Sequence, residues 1–74
     1  MINKPYENIS IELHENYNLK ELQEYLKEKG ETKIRLIIPE KNKKIIFNLE
    51  NSRKFDLNVF NDVKSKEYVK KITF

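Results

Sequence analysis

At 74 residues the chain forms one domain at most. A domain this small buries only about 60% of the surface its unfolded form exposes, too little for a large enclosed active site. Cysteine is absent, histidine occurs once (His14) and glycine once (Gly30), which excludes disulfide frameworks, thiolate metal sites and glycine-rich phosphate loops. The net charge of +3 is unevenly spread. Residues 1–31 hold four Lys and seven Glu, whereas residues 32–74 hold eleven Lys/Arg against five Asp/Glu. A basic half steers a chain toward a polyanion or an acidic protein surface. Lys, Ile and Asn are abundant and Ala is absent; the favoured residues have AT-rich codons, so lysine content alone is weak evidence for nucleic-acid binding. No signal peptide or membrane span is visible, and the expected location is the cytoplasm.

Residues 1–8 show no period, and Pro5 discourages helix; they read as an N-terminal arm or linker end, leaving one domain over 9–74. Residues 9–14 alternate, with Ile9, Ile11 and Leu13 on one face and Ser10, Glu12 and His14 on the other, as in a half-buried strand. Asn18 then suits an N-cap, with Glu21 three residues on as in a capping box and a staple between Tyr17 and Leu22. Leu19, Leu22 and Leu26 form the apolar stripe of a helix, with Lys27 and Lys29 at its negative end and Gly30 as its left-handed stop.

A second strand covers 32–38, with Ile34, Leu36 and Ile38 on one face, and a turn covers 39–42. A third strand at 43–50 completes a hairpin and places Ile45, Phe47 and Leu49 inward. Residues 53–57 alternate again, with Phe55 and Leu57 together, as an extra strand or a continuation past a bulge. Asn58 is the expected cap of a second helix to about Lys66, with Val59, Phe60 and Val63 on its apolar face. A last strand at 69–74 sets Ile72 and Phe74 on one face. The order is β-α-β-β-(β)-α-β. It predicts an α+β fold with two helices packed on one face of a mainly antiparallel sheet, and a ferredoxin-like split βαβ as the leading topology.

Catalytic, cofactor and metal residues are not indicated. His14 lacks a second His or Cys to share a metal and reads as a surface residue. The carboxylates Glu21, Glu24, Glu28 and Glu31 have the spacing of a wet helix surface paired with Lys20 and Lys27. RNA-recognition sheets share the βαββαβ order but stack bases on exposed aromatics flanked by glycines, a signature missing here. A small stand-alone nucleic-acid-binding protein is therefore the alternative function. The densest cations of the basic half, Lys43, Lys44, Arg53 and Lys54, are the expected partner-binding residues, through ion pairs with an acidic protein.

The pattern as a whole resembles the last domain of the bacterial DNA polymerase III alpha subunit. The residues that carry the resemblance are Ile9, Ile11 and Leu13; Leu19, Leu22 and Leu26; Gly30; Ile34, Leu36 and Ile38; Ile45, Phe47 and Leu49; Phe55 and Leu57; and Val69 and Ile72. A glycine often found before the final strand is replaced by Glu67 and Tyr68. The resemblance implies a parent DNA-directed DNA polymerase whose metal-binding aspartates lie upstream. It also implies a non-catalytic C-terminal domain, monomeric in isolation, that docks the tau subunit of the clamp loader.

Overall fold

A computed structural model of the chain describes residues 7–74; all but the end of the predicted arm lies outside them. The elements in order are β1 (Asn8–Leu13), α1 (Leu19–Tyr25), β2 (Lys29–Glu40), β3 (Lys43–Asn48), α2 (Leu57–Lys64) and β4 (Val69–Thr73). They form a four-stranded sheet in the order β3-β2-β1-β4. β1 runs parallel to β2, while β1–β4 and β2–β3 are antiparallel. The α+β class, the β-α-β-β-α-β order and the mainly antiparallel sheet are as predicted.

The sheet order refines the topology. A split βαβ holds another strand between the two parallel strands joined by a helix. Here β1 and β2 are direct neighbours, so α1 closes an unsplit βαβ unit and β3 and β4 form the edges. What the fold shares with the ferredoxin-like arrangement is the element order and a helix layer on one face.

The core is built from the faces the alternation marks. Ile9, Ile11 and Leu13 of β1, Ile34, Leu36 and Ile38 of β2, Leu22 and Leu26 from α1 and its cap, and Val63 of α2 are buried together with Phe55 and Tyr68. α1 and α2 pack against each other over this face. Tyr17, Leu19, Val59, Phe60 and Ile72 close its margins.

α1 begins as expected. The Asn18 side chain accepts a hydrogen bond from the Glu21 N–H at 3.1 Å, satisfying one free donor of the first turn. The reciprocal half of a capping box is replaced by a longer-range role. Glu21 Oε1 accepts from the Tyr68 hydroxyl at 2.8 Å and lies 3.6 Å from Lys66 Nζ, tying α1 to the segment between α2 and β4.

The end of α1 differs from the expectation. The helix stops at Tyr25 with Leu26 as its cap, and Gly30 already lies in β2 with no positive φ. Its smallness serves a close approach instead. A Cβ there would lie 2.4 Å from both Cα and N of Lys54 and 2.6 Å from the Arg53 carbonyl carbon. Gly30 N–H donates to the Ser52 carbonyl at 3.3 Å and Lys54 N–H to that of Glu28 at 2.8 Å. The chain at 52–54 is thus pressed against the start of β2.

Residues 53–57 add no strand to the sheet. Arg53 forms only isolated bridges with Lys29 and Thr32, and Phe55 turns into the core at 4% exposure. α2 is capped by Asp56 rather than Asn58: the Asp56 carboxylate accepts from the Val59 N–H at 2.9 Å. That bond is the first cause of a carboxyl pKa held below its usual value, with Lys54 adding to it. The hairpin closes on Lys41 and Asn42, with Lys41 in the left-handed region at φ 54°.

Candidate protein-docking edge

β3 is where prediction and structure part most usefully. Alternation places Ile45 and Phe47 on the helix side of the sheet, opposite Ile38 and Leu36 of β2. The helix layer does not reach them. Ile45 is 44% exposed, Phe47 46%, and Ile46, on the opposite face, 57%. Only Leu49, just past the strand, is partly buried against the core. The expectation that Ile45 and Phe47 point into the core is corrected accordingly: they lie on the correct face but on an edge strand that no described element covers. Three consecutive large apolar residues on a sheet edge are a template for another chain.

The backbone of that edge is also open. Leu49 N–H donates to the Ile34 carbonyl at 2.9 Å. In an antiparallel pair, hydrogen-bonded and non-bonded residue pairs alternate. With the observed register, Leu36–Phe47, Ile38–Ile45 and Glu40–Lys43 are then bonded pairs. The N–H and C=O groups of Lys44, Ile46 and Asn48 consequently point away from β2, along the free edge.

The four predicted partner-binding cations do not form one patch. Lys43 and Lys44 open β3, opposite Glu40 and Pro39. Arg53 bridges to Lys29 and Thr32 at the other end of β2, about 25 Å away or more at roughly 3.3 Å per residue. Arg53 is also committed to structure. Its Nη1 donates to the Leu26 carbonyl at 2.8 Å and its Nε to that of Asn51 at 3.1 Å, which satisfies a free carbonyl at the C-terminus of α1 with a cation. Lys54 is paired with Glu28 at 3.5 Å and Asp56 at 3.6 Å. Lys43, by contrast, has no ion pair among the described residues, and neither has its neighbour in the turn, Lys41.

Lys44 crosses the uncovered face of the sheet to Glu12. Its Nζ lies 3.0 Å from Glu12 Oε2, and Lys70 Nζ lies 3.5 Å from the same oxygen. Lys70 reaches that point because a bulge in the β1–β4 pairing offsets it from the ladder. Glu12 is 8% exposed. The hydrogen bond from Lys44 holds its carboxyl below the usual carboxylate range, against the opposing pull of burial, with Lys70 adding to the effect.

Around this triad the uncovered face carries Ser10, Lys33, Arg35, Ile37, Ile46, Asn48, Lys71 and Thr73, by register with Glu12. It is basic and, among the described residues, bears no aromatic ring, since Phe47 faces the helix side. His14 is exposed. No group of three or more His, Asp or Glu side chains is placed to hold a metal ion among the described residues.

Comparison with protein families, curated proteins and solved structures finds no match to this chain.

Proposed function

We propose that the chain is a docking domain for a protein partner, specifically the C-terminal domain of a bacterial DNA polymerase III alpha subunit that holds the tau subunit of the clamp loader during replication. The observation that carries the docking reading is the edge of β3, with Ile45, Ile46 and Phe47 exposed beside Lys43 and Lys44. An apolar patch with a polar rim is the usual anatomy of an interaction site. The polymerase assignment is supported by the residue pattern described above. Most of its apolar positions are buried or half-buried, as any core of this order requires, but Ile45 and Phe47 on β3 and Leu57 at the start of α2 are not. An exposed isoleucine and phenylalanine in that pattern are accounted for by a partner better than by the core.

The test is an NMR titration of the isotope-labelled domain with the C-terminal region of tau. The reading predicts shifts concentrated on 41–49; a spectrum unchanged at saturating tau would overturn it.

The uncovered face supports a second reading, a small nucleic-acid-binding protein of βαββαβ type. Lys33, Arg35 and Lys71 stand on one side of the sheet, with Lys44 and Lys70 reaching across it to Glu12. Without aromatic platforms among the described residues, such binding would run through phosphate charge and fall steeply with salt as counterions compete for the backbone. Binding to single-stranded DNA that is absent at low salt would remove this alternative.

A further inference from the structure

We infer that β3 receives its partner as a fifth strand: an extended segment, antiparallel to β3, with an apolar N-terminal half and an acidic C-terminal half. The inference rests on the docking reading above and specifies its mode and the chemistry of the partner.

Three features of β3 and the turn that leads into it converge on this mode. The first is the hydrogen-bond phase. Lys44, Ile46 and Asn48 direct both backbone groups outward, so an added strand meets three donors and three acceptors already aligned by the β2 ladder. The second is the side-chain pattern. Ile45 and Phe47 lie on one face of β3 and Ile46 on the other, all three exposed. An incoming strand flanks all of them only by lying along the edge, since a ligand resting on either face would reach one set alone. The third is the charge gradient. Along β3 itself the lysines stand at the N-terminal end and in the turn before it, at 43, 44 and 41, while at the other end Asn48 accepts from Arg35 Nε at 3.3 Å and so engages the one cation opposite it. A shallow hollow lined by Glu40, Lys41, Asn42, Lys43 and Ile45 sits at the lysine end.

An antiparallel partner places its C-terminal half there, which fixes where its acids belong. Lys41 and Lys43 have no ion pair among the described residues. Lys44 can turn to an incoming carboxylate while Glu12 keeps Lys70.

The same features argue against a second copy of this chain as the occupant. Pairing two β3 edges with Ile46 on Ile46 stacks Ile45 on Phe47 of the other copy, but sets Lys44 against Asn48 and Lys43 against Leu49. The only acid this brings to the three lysines is Glu50, opposite Asn42.

The probe is a synthetic blocked peptide, Thr-Val-Ile-Val-Glu-Asp-Glu, with the reversed sequence as control, titrated into the labelled domain. The expected result is slowed amide exchange at Lys44, Ile46 and Asn48 with Ile45 and Phe47 unaltered, because the latter two are already bonded to β2. Ile46→Pro removes one outward N–H without touching the bonds to β2, and is expected to weaken the probe about tenfold. Because proline can disturb the strand, a second arm keeps the wild-type domain and methylates the peptide nitrogen facing the Ile46 carbonyl, with the same expected loss.

Equal binding of the reversed peptide would show attraction by charge alone and overturn the inference. Protection of the same amides that grows with domain concentration in the absence of peptide would overturn it in favour of self-pairing. Tau binding that survives Ile46→Pro unchanged overturns the strand mode and leaves the docking reading standing. Docking of the probe without any binding of tau does the reverse.

Discussion

Replacing Gly30 with alanine adds a methyl group where the backbone of Lys54 already stands, 2.4 Å from its Cα and N. That is far inside van der Waals contact, and the obstacle is main chain, which cannot swing aside as a side chain can. The segment at 52–54 must move by about 1 Å to restore contact, and overpacking of this kind costs about 1–3 kcal/mol. The shift also strains the Gly30–Ser52 and Lys54–Glu28 hydrogen bonds, each contributing about 1 kcal/mol net. Against this, alanine reduces the freedom of the unfolded chain and recovers about 0.4–1 kcal/mol. The expected net loss is about 2–4 kcal/mol, a large share of the stability of so small a domain.

Chemical denaturation of Gly30→Ala and Gly30→Asn measures it. A left-handed helix stop would tolerate asparagine better than alanine. Close approach predicts the reverse, because asparagine is larger. Asparagine proving the milder substitution, or alanine within about 0.5 kcal/mol of wild type, would show that Gly30 is not held small by the backbone of Lys54.

Three further outcomes follow from named contacts. Tyr68→Phe deletes the donor to Glu21 and is expected to lose about 1 kcal/mol in urea unfolding. Burial, first, and the bond to Glu21 raise the Tyr68 phenol pKa above its usual value, so its contribution is complete below about pH 10 and fades above it; a mutant as stable as wild type at pH 7 would contradict this. Glu12 works in the opposite direction. Its carboxyl pKa is lowered chiefly by the bond from Lys44, so its contribution is present above about pH 4.5 and is lost as pH falls through the folded value. Glu12→Gln should flatten the acid limb of a melting-temperature profile without abolishing it, since Asp56 titrates in the same direction; an unchanged limb counts against the triad. Lys41 holds a left-handed conformation that asparagine adopts more readily, so Lys41→Asn is expected to stabilise the domain by about 0.5–1 kcal/mol, and a fall in the denaturation midpoint would argue against strain there.

Much of the fold is local and was legible. Asn18 caps α1 because its short side chain reaches the Glu21 N–H three residues on, and alternation assigned the faces of β1, β2 and β3 because side chains in a strand point to opposite sides. What stayed hidden depends on contacts between distant segments. Alternation tells which side of a strand Ile45 and Phe47 occupy, but not whether a helix lies over it. Gly30 follows a helix in sequence and so reads as a helix stop, whereas its neighbour in space is Lys54. Asp56 and Asn58 are equally plausible caps by residue type, and the bond to Val59 decides between them.

The candidate site followed the same rule. Charge density in sequence grouped Lys43 and Lys44 with Arg53 and Lys54. The fold spends the latter pair on Leu26, Glu28 and Asp56 and leaves the former at the open edge. The one available clue to that edge was the run Ile45-Ile46-Phe47, apolar on both faces of a strand, with two helices among the described residues to cover the sheet.

Docking of a protein partner through β3, as proposed, is decided by amide-resolved NMR of the labelled domain titrated with the C-terminal region of tau and repeated on Ile46→Pro. The expected result is perturbation of Lys44, Ile46 and Asn48 in the wild type and about tenfold weaker binding in the variant. Saturating tau that leaves every amide of 41–49 in place would contradict it.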